Sequence, residues 1–424
     1  MTGLKTLLSP YKGMPKEIYV IFVARIINAL GCFVMPLLTI ILTQNVGLSK
    51  QMTGFYISLS GLLYLPAAML GGKLADTIGR KKVIMLFDGL AAGFYILAGF
   101  MEPSMPMIYV LMLAGACMVT AGPAHDALIA DLTTPETRNG AYALSYMGWN
   151  IGFAVGPVIG GMLYKNHLPI VFIGDALTAL LALCLIAFFV PETISRTKED
   201  ILDMNRRLEK QEEGSILTVL LKRPILIYFG IIMLGYSFAY AQWSFMLPMQ
   251  TMQRFTTDGA KYFGYIAGFN GLIVMLFTPI VMKMVEGIKS MRRMVYGGLL
   301  YALGFGMMGV THSLSFVFLW AFTFTIGEII LAISVTPFIA NHTPVSHRGR
   351  MNAVMPMMFG LGNTLGPVGM GYALTYMSID TGWILIGIST LIFSLLMLGL
   401  EKAEARKTVQ YIETQVTDVK SARF

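Results

Sequence analysis

Six ionisable side chains lie inside long apolar runs of the sequence, and their chemistry needs an explanation first. They are Arg25, Asp88, His125, Asp126, Asp175 and Glu328. An ionisable group in an apolar span is costly, so such residues mark proton or ligand pathways by default. They offer no pairing of a nucleophile with a base and no spacing typical of metal ligands. The sequence therefore predicts no enzyme, no metal site and no cofactor.

Glu328 has the most specific predicted role. It lies about 12 residues, or about 18 Å, from the nearer end of its run, close to the middle of a bilayer. We hypothesise that it alternates between protonated and ionised forms, and that the ionised form meets a cationic ligand. The alternative is a glutamate that stays protonated and bonds to a neighbouring helix.

The other ionisable residues allow several interpretations. Arg25 and Asp126 could pair, either as a structural ion pair or as a proton-linked gate. His125 is interpreted as a neighbour of Asp126 and not as a ligand. Asp88 and Asp175 lie near the ends of their runs and could simply face water or lipid headgroups.

A group of polar and aromatic residues could line a cavity beside these charges. Its members are Asn28, Tyr236, Tyr240, Gln242 and Trp243. Aromatic faces attract flat or cationic molecules, and the amides add hydrogen-bonding groups. The alternative is that these side chains pack against lipid and neighbouring helices.

The composition shows what kind of molecule must hold these residues. The chain has 424 residues, of which 56% are apolar and 13% charged, and its mean hydropathy is +0.68. A soluble domain carries roughly 25% charged residues. A soluble enzyme and a nucleic-acid-binding protein are therefore excluded.

Apolar runs between charged or turn-rich breaks predict twelve spans, called spans one to twelve below. They cover residues 17–44, 51–72, 82–101, 106–131, 139–164, 168–190, 224–250, 260–283, 292–311, 315–340, 351–377 and 382–400. Lipid cannot satisfy bare backbone groups, and the runs are too long and continuous for barrel strands, so each must be a helix. The predicted fold is an all-α polytopic membrane protein.

Basic residues predict the orientation of the spans. With the N-terminus placed in the cytoplasm, 26 of the 31 Lys and Arg fall on the inner side and four on the outer side, while Arg25 is inside span one. This asymmetry predicts that both termini are cytoplasmic, in the plasma or inner membrane. The net charge of +8 then reflects topology next to anionic lipid and not a nucleic-acid partner.

Small residues recur with a constant offset of 210 positions. Gly54 and Gly61 correspond to Gly264 and Gly271. Likewise, Gly152, Gly156 and Pro157 correspond to Gly362, Gly366 and Pro367. The pattern predicts six-helix halves at 1–190 and 224–400, a cytoplasmic linker at 191–223 and a tail at 401–424. The alternative is that small residues recur wherever helices pack closely.

Residues 72–82 read GKLADTIGRKK and resemble the signature loop of the major facilitator superfamily, except that Thr77 replaces an arginine. Its marked positions are Gly72, Asp76, Gly79, Arg80 and Lys81. The two glycines are expected to allow close approach and a tight reversal, and the basic residues to hold the loop at the cytoplasmic surface. The resemblance implies that Asp76 docks near the start of span eleven, at Arg350 and Met351, and latches an outward-open state.

Two further stretches resemble the drug:proton antiporters of that superfamily. The first is a hinge or seal motif in span five, made of Gly152, Gly156, Pro157, Gly160 and Gly161. The second is the Gly327–Glu328 pair in span ten, which is followed by Pro337; the antiporter pattern has its proline earlier. Simple small-residue packing is the alternative for the span-five motif.

The resemblance implies a twelve-helix transporter built as two pseudo-symmetric six-helix bundles. The expected function is proton-coupled efflux of amphipathic or cationic drugs by alternating access, with protons, a small-molecule substrate and the lipid bilayer as partners of a monomer. No G-x-x-x-x-G-K-[ST] loop points to ATP. The alternative is a transporter of the same fold for a metabolite, a sugar or a lipid-like solute.

Overall fold

The computed structural model describes residues 13–194, 223–343 and 348–421. Within these ranges nearly every residue is helical and no strand occurs. Most of the predicted linker, residues 195–222, lies outside the described ranges.

Eight helices account for the first six predicted spans. In chain order they are α1 (Lys16–Leu30), α2 (Val34–Ile40), α3 (Lys50–Ile78), α4 (Arg80–Phe100), α5 (Met105–Asp131), α6 (Pro135–Phe153), α7 (Gly156–Tyr164) and α8 (Leu168–Phe189). A π-helical turn, Ile41–Asn45, extends α2. Spans one and five each consist of two consecutive helices, so each is broken within the membrane.

Six helices account for the remaining spans. They are α9 (Pro224–Phe255), α10 (Gly259–Met284), α11 (Ser290–Met308), α12 (Leu314–His342), α13 (Arg348–Ala373) and α14 (Ile379–Ser421). Helix α14 continues about 20 residues beyond the predicted end of span twelve, into the segment that the sequence assigned to a tail.

The all-α membrane architecture is confirmed, while the number of crossings stays a prediction. Eight segments of the described chain are long and apolar enough to cross a bilayer, and one of them, Pro224–Met284, covers two predicted spans. The predicted spans outside this set are 139–164, 292–311 and 351–377. All three are rich in glycine, which lowers their hydropathy without preventing a helix.

The chain forms two compact units. The first holds the described residues of Met1–Lys210, Trp243–Met275 and Pro367–Thr375, and the second holds those of Gln211–Gln242, Leu276–Gly366 and Tyr376–Phe424. The first unit therefore includes pieces of the predicted second half. The boundaries predicted from the sequence stay a prediction.

Two matching contacts inside the first unit follow the offset of 210. A Cβ atom added to Gly54 would lie 2.1 Å from the carbonyl oxygen of Pro367, and one added to Gly264 would lie 2.3 Å from that of Pro157. Only glycine permits this approach. Each half of the sequence thus places the same glycine against the same proline of the other half, as expected of duplicated halves.

The second unit is built around aromatic packing. Phe305 of α11 stacks against Phe324 of α12 and Trp383 of α14, with ring centroids 5.0 and 5.7 Å apart. All three side chains are buried. Helix α11 is therefore held between α12 and α14, where it can present residues to the interior of the unit.

Candidate functional site

The carboxylate of Glu328 lies half-buried in the second unit and meets Tyr240. The Tyr240 hydroxyl on α9 donates a hydrogen bond to Glu328 Oε1 on α12, over 2.9 Å. The ring of Tyr240 stacks on Tyr301 of α11, with centroids 5.9 Å apart and planes inclined by 16°. The structure thus brings together two residues that the sequence singled out separately.

Tyr301 was missed by the sequence analysis. Its helix carries glycines on both sides of it, at Gly298 and Gly304, and these were a usable signal because they let aromatic rings approach a helix closely. A Cβ atom on Gly298 would lie 2.2 Å from the hydroxyl oxygen of Tyr236.

Three of the five predicted cavity residues are buried. Tyr236 is 1% exposed and donates a hydrogen bond to Ser394 Oγ over 3.2 Å. Gln242 is fully buried and donates to the carbonyl of Phe238, while Trp243 packs against Phe263. These contacts fit the alternative interpretation, in which the side chains pack against neighbouring helices. A cavity-lining role for these three residues stays a prediction.

In the first unit, Arg25 and Asp126 share a cavity but do not pair. The cavity has a volume of about 460 Å³ and is lined by Arg25, Asp126, Tyr142, Ser145, Tyr146 and Trp149. The guanidinium of Arg25 lies 5.4 Å from the centre of the Trp149 ring, in a cation–π contact. No ion pair within 4 Å joins the two residues in this described region, so the predicted direct pair is corrected. Trp149 makes the close contact with Arg25, while Asp126 acts on it through its charge from a longer distance.

His125 pairs with Asp88 and not with its neighbour Asp126. His125 Nε2 on α5 lies 2.8 Å from Asp88 Oδ2 on α4. Both side chains are about one-fifth exposed. The interpretation of Asp88 as a residue that faces water or headgroups is therefore wrong, because its carboxylate turns toward a helix in the same unit.

Asp175 also turns inward. It is 5% exposed and accepts hydrogen bonds from the backbone N–H groups of Phe33 and Val34, over 3.2 and 3.1 Å. These N–H groups begin α2, where a helix has no partners of its own for them. Asp175 of α8 thus caps the break in span one, and the headgroup interpretation is corrected.

The signature segment lies on two helices and not in a loop. Helix α3 continues to Ile78, Gly79 alone makes the turn, and α4 begins at Arg80. Gly79 has a φ of +117°, and a Cβ atom there would lie 2.4 Å from the carboxylate of Glu192. The sequence predicted a close helix approach at Gly72, but a Cβ atom there would lie 3.9 Å from its nearest neighbour. The close approach is instead at Gly71, where a Cβ atom would lie 1.9 Å from the Thr120 carbonyl oxygen.

The basic residues of this segment bind protein groups. Arg80 is buried, and its Nε lies 2.9 Å from Asp131 Oδ2 and its Nη2 3.2 Å from Asp76 Oδ1. Lys81 Nζ donates to the carbonyls of Ala187 and Val190 at the end of α8. These contacts were not predicted from the sequence, and the expected role of the basic residues in holding the segment at the cytoplasmic surface stays a prediction. The side chain of Arg350 lies outside the described part of the chain, and the docking of Asp76 near it stays a prediction.

Glu192 completes this network and was not predicted. Its carboxylate accepts hydrogen bonds from the backbone N–H groups of Arg80 and Lys82, at the start of α4. Partial burial raises its pKa, but these bonds and those from Thr193 and Ile194 outweigh it, so the pKa lies below the usual value. The sequence around Glu192 gave no signal of this role, because it follows the end of a helix, where the dipole favours cations; packing alone brings it to the start of α4.

The glycine–proline motif of span five lies where the helix breaks. Helix α6 ends at Phe153 and α7 begins at Gly156, with Pro157 next to it. A Cβ atom on Gly152 or on Gly156 would lie 2.5 or 2.6 Å from the α1 backbone. Gly160 approaches Phe33, and Gly161 approaches the Ala260 carbonyl of α10. The motif packs closely against both neighbours, and its function as a hinge or seal stays a prediction.

Of the remaining predicted residues, Asn28 lies beside the His125–Asp88 pair. It lines a second cavity of about 40 Å³ together with Arg25, Asp88, Tyr95, His125 and Asp175. Asn28 thus shares this cavity with ionisable side chains of the first unit.

Comparison with known proteins agrees with this geometry. The family model described as Major Facilitator Superfamily matches residues 21–340 and 292–421. The chain is 24% identical to a "Na(+), Li(+), K(+)/H(+) antiporter" of Planococcus maritimus, over 79% of this chain and 84% of the relative. It is 26% identical to "Multidrug resistance protein MdtH" of Edwardsiella ictaluri, over 84% and 85% of the two chains.

The fold is also similar to solved structures. A POT family transporter in complex with a thioalcohol-conjugated peptide superposes with a TM-score of 0.72 at 17% identity, over 93% of this chain and 97% of that one. The family match extends over more than half of the sequence, and the chain therefore belongs to the Major Facilitator Superfamily, whose members are membrane transporters and not enzymes.

Proposed function

We propose that this transporter exports amphipathic or cationic compounds in exchange for protons, by alternating access. The observation that carries the proposal is the Glu328 carboxylate held by Tyr240 beside the Tyr301 ring. Relatives named as a multidrug resistance protein and as a cation/proton antiporter support it.

The chemistry of this site favours a competition between a proton and a cation. When Glu328 is ionised, its negative charge and the faces of Tyr240 and Tyr301 attract an organic cation; a cation–π contact alone contributes about 0.5–2 kcal/mol. When Glu328 takes up a proton, the charge disappears and the cation leaves. Because one carboxylate cannot hold both, movement of one is tied to movement of the other.

Dye transport in inverted membrane vesicles tests the proposal. We expect vesicles containing the transporter to accumulate ethidium while a pH gradient is present, and accumulation to collapse when a protonophore removes the gradient. Vesicles without the transporter provide the baseline. Accumulation that persists unchanged without the gradient would contradict proton coupling, and no ethidium movement in either condition would favour a different substrate class.

A second candidate is exchange of alkali cations for protons. The similarity to an antiporter for sodium, lithium and potassium favours it, since a buried carboxylate also suits small cations. The same vesicles distinguish the two candidates. If alkali cations are the substrates, addition of sodium or potassium should dissipate the pH gradient, whereas ethidium should not.

We further propose that the monomer is the functional unit and that both termini are cytoplasmic, as the distribution of basic residues predicts.

A further inference from the structure

We propose that His125 and Asp88 form a second proton-binding site, in the first unit, separate from Glu328. The proposal rests on proton-coupled transport as its functional setting. Its structural basis is a histidine and a carboxylate that contact each other between two apolar helices, with Nε2 and Oδ2 2.8 Å apart.

The charges around the pair favour an added proton. When Asp88 and Asp126 are ionised and His125 is neutral, the single positive charge of Arg25 balances only one of the two carboxylates, so one negative charge is in excess. An ionised Asp175 would add a second excess negative charge. An uncompensated charge in a low-dielectric interior is expensive. A proton on the His125–Asp88 pair removes that imbalance, and histidine is the side chain whose charge changes near neutral pH.

The remaining titratable groups near the pair are a phenol and a thiol. Tyr95 of α4 lines the same cavity, and Cys117 of α5 lies close enough to Asp88 to feel its charge. Neither side chain is charged in its ordinary form near neutral pH. The proton balance of the cluster therefore depends on the histidine and the carboxylates.

The size of the cavity identifies its occupant. A cavity of about 40 Å³ beside the pair has room for about three waters, because one water needs about 10–15 Å³ by this measure. A drug-sized ligand needs roughly 300 Å³ or more. The site thus suits a proton and its water and is too small for the exported compound.

Arg25 connects this small cavity with the larger one. It lines both the 40 Å³ cavity and the 460 Å³ cavity, where it lies over Trp149. A cation that enters the larger cavity lies near Arg25 and Asp126 and adds a positive charge there. That charge, together with the guanidinium of Arg25, makes an added proton on the His125–Asp88 pair less favourable. This arrangement ties release of a proton from the His125–Asp88 pair to the binding of a cation in the first unit.

Nuclear magnetic resonance of the full chain in lipid nanodiscs tests the site directly. The five histidines are labelled with ¹⁵N, and the variant His125→Gln identifies the signal of His125. We expect that signal to change as the pH is lowered, because the pair takes up a proton. Asp88→Asn should alter this pH response, because it removes the carboxylate that contacts Nε2, while Glu102→Gln, at an exposed glutamate, leaves it unchanged. A His125 signal that does not respond to pH, or that ignores Asp88→Asn, would overturn the proposal.

Transport then tests coupling. In proteoliposomes, His125→Gln should lower pH-driven ethidium accumulation about a hundredfold, the lower end of the loss expected for one proton-transfer group, while ethidium exchange at equal pH persists. The control His167→Gln, at the exposed start of α8, should behave as the wild type. Wild-type coupling in His125→Gln would overturn the role of the pair. If wild-type export ignored the gradient while His125 still titrated, the proposed function would fail and the proton site would stand.

Discussion

Among single residues, Tyr240 holds the Glu328 carboxylate through a hydrogen bond from its hydroxyl. Tyr240→Phe removes the 2.9 Å hydrogen bond but leaves the ring stacked on Tyr301. A hydrogen bond to a charged group contributes about 1.5–3 kcal/mol, so we expect ethidium export to fall about tenfold or more. Export by Tyr240→Phe in vesicles is the measurement.

The control lies on the same helix. Tyr228 is exposed on α9, and Tyr228→Phe should export ethidium as the wild type does. Equal export by both variants would show that the hydrogen bond plays no part in transport.

Sequence reasoning at the level of residues identified ionisable positions better than their partners. Glu328 and Tyr240 were both predicted, yet 88 residues separate them and only helix packing shows that they touch. Asp88 and His125 are 37 residues apart, and each could have faced several neighbours. Which side of an apolar helix faces inward depends on packing, because lipid and protein interior are both apolar.

At the level of helices, Glu192 ties the start of α4 to the end of α8, and its effect should depend on pH. Its pKa is lower in the folded protein than in the unfolded chain, so its contribution to stability is present above the usual carboxyl range and is lost as pH falls through the folded value. Glu192→Gln should therefore lower the melting temperature at pH 7 and make little difference well below pH 4. Thermal unfolding of both proteins between these pH values is the test, and a pH-independent difference would contradict it.

Neighbouring glycines in α3 give a matched pair of variants. At Gly71 a Cβ atom would lie 1.9 Å from the Thr120 carbonyl oxygen, whereas at Gly72 the nearest atom is 3.9 Å away. Gly71→Ala should destabilise the packing of α3 on α5 by about 1–3 kcal/mol or more. Gly72→Ala should leave stability unchanged or slightly higher. Yield and melting temperature of the two purified variants compare them, and equal behaviour would contradict the packing described.

Helix boundaries show where the sequence was informative. Apolar runs predicted the helices because lipid leaves the backbone no other arrangement. The breaks at Gly31–Phe33 and at Ala154–Val155 were less visible, since neither interrupts the apolar pattern. Pro157 gave a warning of the second break. The first depends on Asp175, a cap supplied from 142 residues away.

Across the whole chain, the duplicated contacts predict that equivalent substitutions have equivalent effects. Gly54→Ala and Gly264→Ala each place a methyl group 2.1 or 2.3 Å from a proline carbonyl oxygen. Both variants should lower ethidium export, and by similar factors, since each disrupts one of two repeated contacts. Gly89→Ala is the control, because a Cβ there meets nothing within 4 Å. Wild-type export by only one of the two variants would show that the repeat has lost its functional equivalence.

Exchange of protons for cations at Glu328 is tested most directly by proton flux in proteoliposomes without an imposed gradient. Ethidium added outside should drive a change in internal pH through the wild-type protein. Glu328→Gln should abolish that change while the protein remains folded, and Glu102→Gln, an exposed glutamate outside the helices, should preserve it. An ethidium-driven pH change of wild-type size in Glu328→Gln would contradict the assignment.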